Sequence, residues 1–260
     1  MANEKFSVTV LGSGTSQGIP VIGCTCDVCR SRDPHDTRLR TSIYVTSGDT
    51  AITVDIGPDF RQQMLVNDIS DIDAVLLTHE HDDHVSGLDD IRPINFRLKK
   101  NIPLYGLPRV LNDLRARYRY VFDTAYDYSG KPRIDLVEIN TTPLHIGSME
   151  IQPIKIMHCN LEILGFRFWN FAYITDAKTI DEAWIEQLQG LDVLIINALH
   201  RHVHYSHLNL EEALAMVGQI NPRHAYLTHL SHYMGVAADV ELELPDNFSL
   251  AYDGLQLEID

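Results

Sequence analysis

Basic residues are scarce in this chain. Lys and Arg number 21 against 36 Asp and Glu, for a formal charge of −15. So acidic a protein lacks the basic footprint that non-specific nucleic-acid binding needs, although a local anion site stays open. Long apolar runs are absent too. No stretch approaches the roughly 18 residues of a membrane span, and Met1 to Leu11 alternates polar and apolar residues without a basic-then-apolar signal. A cytoplasmic, soluble chain is expected. Cysteine is sparse, and three of the four (Cys24, Cys26, Cys29) fall within six residues, with Cys159 apart. That layout is poor for a disulfide scaffold and fits metal or redox chemistry better. Pro/Gly/Ser-rich linkers, repeats and low-complexity segments are missing, so residues 1–260 are read as one domain. What is abundant is histidine, 13 residues, the commonest metal ligand.

Runs of β-branched and aromatic residues ending at Gly, Asp, Pro or His predict strands. They fall at Phe6–Leu11, Ser42–Thr46, Ala51–Asp55, Ala74–Leu77, Ile102–Tyr105, Met149–Ile156, Phe171–Thr175, Val193–Ile196, Ala225–Thr228 and Leu255–Ile259. Helical periodicity lies between many of them, at Asp59–Val66, Arg109–Tyr118, Asp181–Leu188 and Leu210–Gln219. The last opens with Asn209 and Glu212 in capping-box spacing. Strands and helices alternating without a boundary predict a layered α/β domain. Several strand ends carry a polar ligand-type residue: Asp55, Thr78-His79, His158, Asp176 and His229. Strand ends are rigid yet face the loops where α/β sheets build their sites.

The densest cluster is His79-Glu80-His81-Asp82-Asp83-His84, directly behind the apolar run Ala74–Leu77. His79 and His81 are two apart and point the same way on an extended segment. Asp83 and His84 can point elsewhere if the chain turns into a helix near Gly87. One loop can then offer two donors to one metal and two to a neighbour. This H-x-H-x-D-H motif resembles that of the metallo-β-lactamase superfamily of binuclear metallohydrolases. The resemblance implies a four-layer αββα sandwich and further ligands at later strand ends: His158, then Asp176 bridging both metals, then His229. On that pattern His79, His81 and His158 hold one metal, and Asp83, His84 and His229 the other. Nitrogen and oxygen donors suit Zn, Mn or Fe.

Gly23-Cys24-Thr25-Cys26-Asp27-Val28-Cys29 is C-x-C-x-x-C, three thiols short of one ligand for a structural zinc. With Leu11-Gly12-Ser13-Gly14-Thr15-Ser16-Gln17-Gly18-Ile19-Pro20 before it, the segment resembles the phosphonate-pathway (PhnP-like) cyclic phosphate phosphodiesterases. The resemblance implies His232, three residues after His229, as the fourth zinc ligand. Gly12, Gly14 and Gly18 do not match the dinucleotide spacing, and Pro20 interrupts any helix. They are read as a tight loop lining the metal site. Cys159 is read as a small packed thiol.

A second histidine-rich stretch, His200-Arg201-His202-Val203-His204-Tyr205-Ser206-His207, precedes the capped helix. The same resemblance places His207 beside the phosphate, where it stabilises the transition state or protonates the leaving oxygen. Arg201, Arg92 and Arg97 are the candidates for a remote phosphate, against the plainer reading of surface ion pairs. The expected function is hydrolysis of a small phosphodiester, with a cyclic ribose phosphate or nucleotide in view. Water activated between two divalent ions would attack phosphorus, with Asp83 and Asp176 counted among the catalytic groups. tRNA 3′-end processing is the alternative that the charge argues against. A non-hydrolytic relative of pyrroloquinoline-quinone biosynthesis proteins is another, and here every ligand position is filled. Residues 108–142 match nothing; their tyrosines suggest a lid or a homodimer face.

Overall fold

A computed structural model describes residues 6–125 and 129–259. Among them are 14 strands in two seven-stranded mixed sheets. The first sheet runs in the order β14-β1-β2-β3-β4-β5-β6. Its members are β1 (Phe6–Gly12), β2 (Ser42–Ser47), β3 (Thr50–Val54), β4 (Ala74–Leu76), β5 (Ile102–Gly106), β6 (Ile134–Glu138) and β14 (Gln256–Ile259). The second runs β13-β12-β11-β10-β9-β8-β7. It holds β7 (Leu144–Ile146), β8 (Met149–His158), β9 (Leu161–Phe168), β10 (Phe171–Ile174), β11 (Val193–Asn197), β12 (His224–Thr228) and β13 (Phe248–Leu250).

Three apolar cores separate four layers. Val8, Val10, Ile43, Val45, Ile52 and Val54 of the first sheet face Ile151, Leu164, Phe166 and Phe168 of the second. Outside the first sheet, Phe60 and Met64 of the helix Phe60–Val66 pack with Val110, Leu111 and Leu114 of the helix Pro108–Arg117. Outside the second, Ala213, Val217 and Ile220 of the helix Leu210–Ile220 cover Leu194, Ile196 and Leu227. Each fully buried aliphatic or aromatic side chain contributes about 1.5–3 kcal/mol. Both faces of the central strands are covered, which is why β4 and β11 read as continuous apolar runs rather than alternating ones. The αββα sandwich follows from this double coverage.

The expected strands appear within a residue or two, as does the helix with its Asn209–Glu212 capping box. β6, β7, β9 and β13 carry no clear periodic signal. β9 contains Glu162, Gly165 and Arg167; Gly165 lies against Ile156 and the Tyr173 carbonyl, where a Cβ would collide. Its pairing with β8 and β10 is a tertiary fact. The described parts of 108–142, residues 108–125 and 129–142, include a helix on the core and β6 at a sheet edge. Tyr126 and Tyr128 lie outside the described residues. Cys159 is a correction. It is exposed, at φ +56° in the two-residue turn joining β8 to β9. A turn position facing solvent gives a thiol nothing to pack against. Among the described residues no helix is long and apolar enough to cross a membrane.

Candidate metal centre

The site forms where the strand ends of both sheets meet. Asp55 and His229 each follow a strand directly and Asp176 follows β10 after one intervening residue. Asp55, Asp176 and His229 each take left-handed backbone angles, with φ of +64°, +58° and +55°. That region is uncommon outside glycine, and its recurrence at three converging strand ends marks a functional constraint. Behind β4 the chain bends at Thr78, and His81, with extended backbone (φ −63°, ψ 150°), leads into a one-turn helix, Asp82–Val85. His79 and His81 converge, with Nε2 of the first 2.9 Å from Nδ1 of the second, and the turn redirects Asp83 and His84.

The structure brings together His79, His81, His158, Asp83, His84, His229 and Asp176. Ligand atoms of His79, His81 and His158 lie within 4.8 Å of one another, as do those of Asp83, His84 and His229. Asp176 groups with His79 and His84 in the same way. Its Oδ1 is 3.3 Å from His229 Nε2 and its Oδ2 is 3.3 Å from His84 Nε2.

Hydrogen bonds set the tautomers. His84 Nδ1–H donates to Asp55 Oδ2 at 2.6 Å. His158 Nδ1–H donates to the carbonyls of Asp176 and Ser206 at 2.8 and 3.0 Å. Thr78 Oγ1 donates to the Asp55 carboxylate, so it accepts from His79 Nδ1–H at 2.9 Å. Each ring then has its Nε2 lone pair turned to the centre. Among the described residues, the buried Nε2 of His84 and both ring nitrogens of His229 have no hydrogen-bond partner. Buried polar atoms without partners are rare and call for an explanation. Here lone-pair nitrogens and carboxylate oxygens converge, the donor set of a transition-metal site.

The electrostatics agree. Burial pushes the carboxyls of Asp83 and Asp176 up, but His84 and His229 override it and hold both below the usual range. Burial pushes His84 down, yet Asp83, Asp176 and Asp55 raise it well above an ordinary imidazole. Three carboxylates around one imidazole demand positive charge, which a proton on His84 or divalent ions can supply. The residues present fit two such ions.

A second cluster lies behind the first. Sγ of Cys24, Cys26 and Cys29 are 3.3, 3.3 and 3.6 Å from His232 Nδ1. A tetrahedral zinc with ordinary Zn–S and Zn–N bonds separates S from N by about 3.5 Å. The cluster fits one ion, which would staple the N-terminal loop to the loop bearing His229. The glycine-rich loop adds backbone ties: Thr15 N–H donates to the Leu230 carbonyl and Leu230 N–H to that of Ser13.

His207 stands at the pocket mouth, 12 % exposed, with Nδ1 3.6 Å from Asp176 Oδ1. Its ring is 4.7 Å from that of His158 and 4.9 Å from that of His229. Burial pushes its pKa down to about 3, against the opposing pull of Asp176. The ring is neutral at physiological pH, which favours hydrogen-bond donation over proton delivery. The arginines are occupied elsewhere. Arg201 pairs with Glu243 at 2.8 Å and the Met234 carbonyl, Arg92 with Asp89, and Arg97 with Asp71.

Sequence reasoning noted Asp55 only as a strand-end acid; its grip on Thr78 and His84 was not visible. It missed Arg109, which pairs with Glu80 inside the metal motif and donates to the Glu162 carbonyl at 2.6 Å. Arg109 thus clamps the His79–His81 loop to β9.

The profile of the Beta-lactamase superfamily domain matches residues 50–230. A protein of Porphyromonas gingivalis named Octanoyltransferase is 42% identical over 254 residues, covering 96% of this chain and 51% of that protein. The chain thus spans about half the length of this relative. Among solved structures, a new diphosphatase from the PhnP family superposes with a TM-score of 0.92 at 36% identity, covering 98% of this chain and 97% of that one. Zn(2+)-bound PqqB from Methylobacterium extorquens shares the fold, with a TM-score of 0.76 at 20% identity over 97% of this chain and all of that one. The family profile, the sandwich and the converging donors together place the chain in the metallo-β-lactamase superfamily of hydrolases, on its PhnP-like branch.

Proposed function

We propose that the chain is a binuclear-metal-dependent phosphodiesterase for a small phosphodiester. The observation that carries this reading is the convergence of seven His and Asp side chains with unpartnered lone-pair nitrogens turned inward. His79, His81 and His158 would hold one divalent ion, Asp83, His84 and His229 a second, and Asp176 would touch both. Cys24, Cys26, Cys29 and His232 would hold a structural zinc. Divalent ions in such a pair supply Lewis-acid stabilisation of phosphoryl oxygens and lower the pKa of water.

The chain's own residues do the rest. Asp55 and Thr78 fix the tautomers of His84 and His79, so the cluster is preorganised before substrate arrives. His207, neutral and beside His158 and His229, donates a hydrogen bond to an oxygen on which charge develops. Zn, Mn and Fe all suit the donor set. The similarity to a PhnP-family diphosphatase supports a phosphorus-centred substrate. The relative named Octanoyltransferase is about twice as long, and that name describes the whole protein. The charge of −15 favours a small substrate over a long polyanion such as tRNA.

The test is turnover of bis(p-nitrophenyl) phosphate and of a ribose 1,2-cyclic phosphate by protein loaded with Zn²⁺, Mn²⁺ or Fe²⁺. Hydrolysis of either supports the reading, and inertness toward all diesters with every metal overturns it. Asp176→Ala and His79→Ala should each abolish turnover. Full activity in either would overturn the site assignment alone.

A further inference from the structure

The loop His200–His207 carries more imidazoles than one phosphoryl group needs. Its rings form a row leading out of the pocket. His207 is 4.9 Å from His229, His204 is 5.1 Å from His207, and His200 is 5.7 Å from His204. Both outer rings are anchored through Nδ1. His204 Nδ1 accepts the Ser206 backbone N–H at 3.3 Å, and His200 Nδ1 accepts that of His202 at 3.2 Å. A neutral ring that accepts at Nδ1 carries its proton on Nε2. His204 and His200 therefore each keep an Nε2–H donor free for a ligand.

The loop is held in place. Leu199 N–H donates to the Leu208 carbonyl and Leu208 N–H to that of Ala177, so its base is tied to the residue after Asp176. Arg201 fixes the far side through Met234 and Glu243. Donors already held in place make an anion site with little ordering cost. It begins one ring beyond the place where the reacting phosphoryl group would lie.

The geometry points to a second phosphoryl subsite formed by His204 and His200, and so to a diphosphate diester as the preferred substrate class. This rests on the phosphodiesterase reading and deepens it. In the reaction a water oxygen bonds to the phosphorus held at the metal centre and the bridging P–O bond breaks. The leaving phosphate keeps the electron pair, and the water's proton passes to solvent. His204 and His200 donate to the leaving phosphate's oxygens. One such hydrogen bond to a charged group corresponds to roughly tenfold or more in affinity.

The metal-loaded protein is assayed on P1,P2-di(adenosine-5′) diphosphate and on bis(p-nitrophenyl) phosphate, and binding of inorganic pyrophosphate and inorganic phosphate is measured by calorimetry. In His204→Ala and His200→Ala, the ratio of kcat/KM for the diphosphate to that for the simple diester should fall about tenfold or more. Pyrophosphate affinity should fall with it, and phosphate affinity by much less. His204→Gln keeps an N–H donor and should recover part of both. A parallel fall on both substrates, or no change in the ratio, overturns the subsite. If the parent protein hydrolyses neither substrate, the phosphodiesterase reading fails. The binding arm then decides alone: pyrophosphate affinity that matches phosphate affinity, or that ignores the His204 change, overturns the subsite.

Discussion

His84 Nδ1 sits 2.6 Å from Asp55 Oδ2, and both side chains are fully buried. Asp55 also takes the Thr78 backbone N–H and hydroxyl. One carboxylate thus sets the tautomer of His84 directly and that of His79 through Thr78. Asp55→Asn tolerates the left-handed backbone at this position but offers His84 an amide where it needs an acceptor. Metal affinity should fall about 10- to 100-fold, read by chelator competition. Activity should return in part at saturating metal. Unchanged affinity would remove Asp55 from the positioning role.

The cysteine cluster makes a thermodynamic prediction. Burial pushes the Cys29 thiol up to about 11, so this group stays protonated until an ion displaces the proton. Zinc binding should release protons, approaching three per chain near neutral pH. Cys26→Ser should lose the structural ion, lower Tm, and weaken activity about 10- to 100-fold through the loop shared by His232 and His229. Elemental analysis that counts the same metal in parent and variant would contradict this.

His207 separates hydrogen bonding from acid catalysis. With its pKa pushed down to about 3 by burial, it is neutral throughout the physiological range. The rate should not fall as pH rises through about 6.5, where an ordinary imidazolium is lost. His207→Ala should lower kcat about 100- to 1,000-fold. A rate limb near that pH, absent from the Ala variant, would restore the proton-donor role.

Asp253 ties the C-terminal end of the fold to the site. It accepts from Ser13 N–H, Ser13 Oγ and Leu39 N–H, and Ser13 in turn holds Leu230 beside His229. Burial pushes its carboxyl up to about 6. A raised folded pKa means that the unfolded chain ionises first, so the contribution to stability is full below about pH 4 and gone above about pH 6. Relative to Asp253→Asn, the parent should lose on the order of 3 kcal/mol over that window. Tm measured across it should show the gap shrinking as pH rises; a constant gap would exclude Asp253 as its cause.

Much of the site was legible because metal ligation imposes spacing on the chain. The H-x-H-x-D-H run and C-x-C-x-x-C are local, and local geometry follows from local sequence. The ligands at later strand ends were found through a family resemblance, since nothing in the residues around His158 separates a ligand from a packed histidine. Arg109 carried no signal, because its partners Glu80 and Glu162 are distant in sequence and meet it only in the folded chain. Cys159 was misplaced for a related reason: the tight β8–β9 turn depends on β9, a strand with charged residues and a glycine in its run.

The sequence by itself determined the alternation of strands and helices, the acidic charge, the donor types and the two metal motifs, because these depend on residue identity and short spacing. Tertiary structure decided which lone pairs face the centre, how Asp55 orients two histidines, that His207 is neutral, and that His200 and His204 line up beside it. Those properties depend on burial and on partners drawn from both sheets, and neither exists until the sandwich closes.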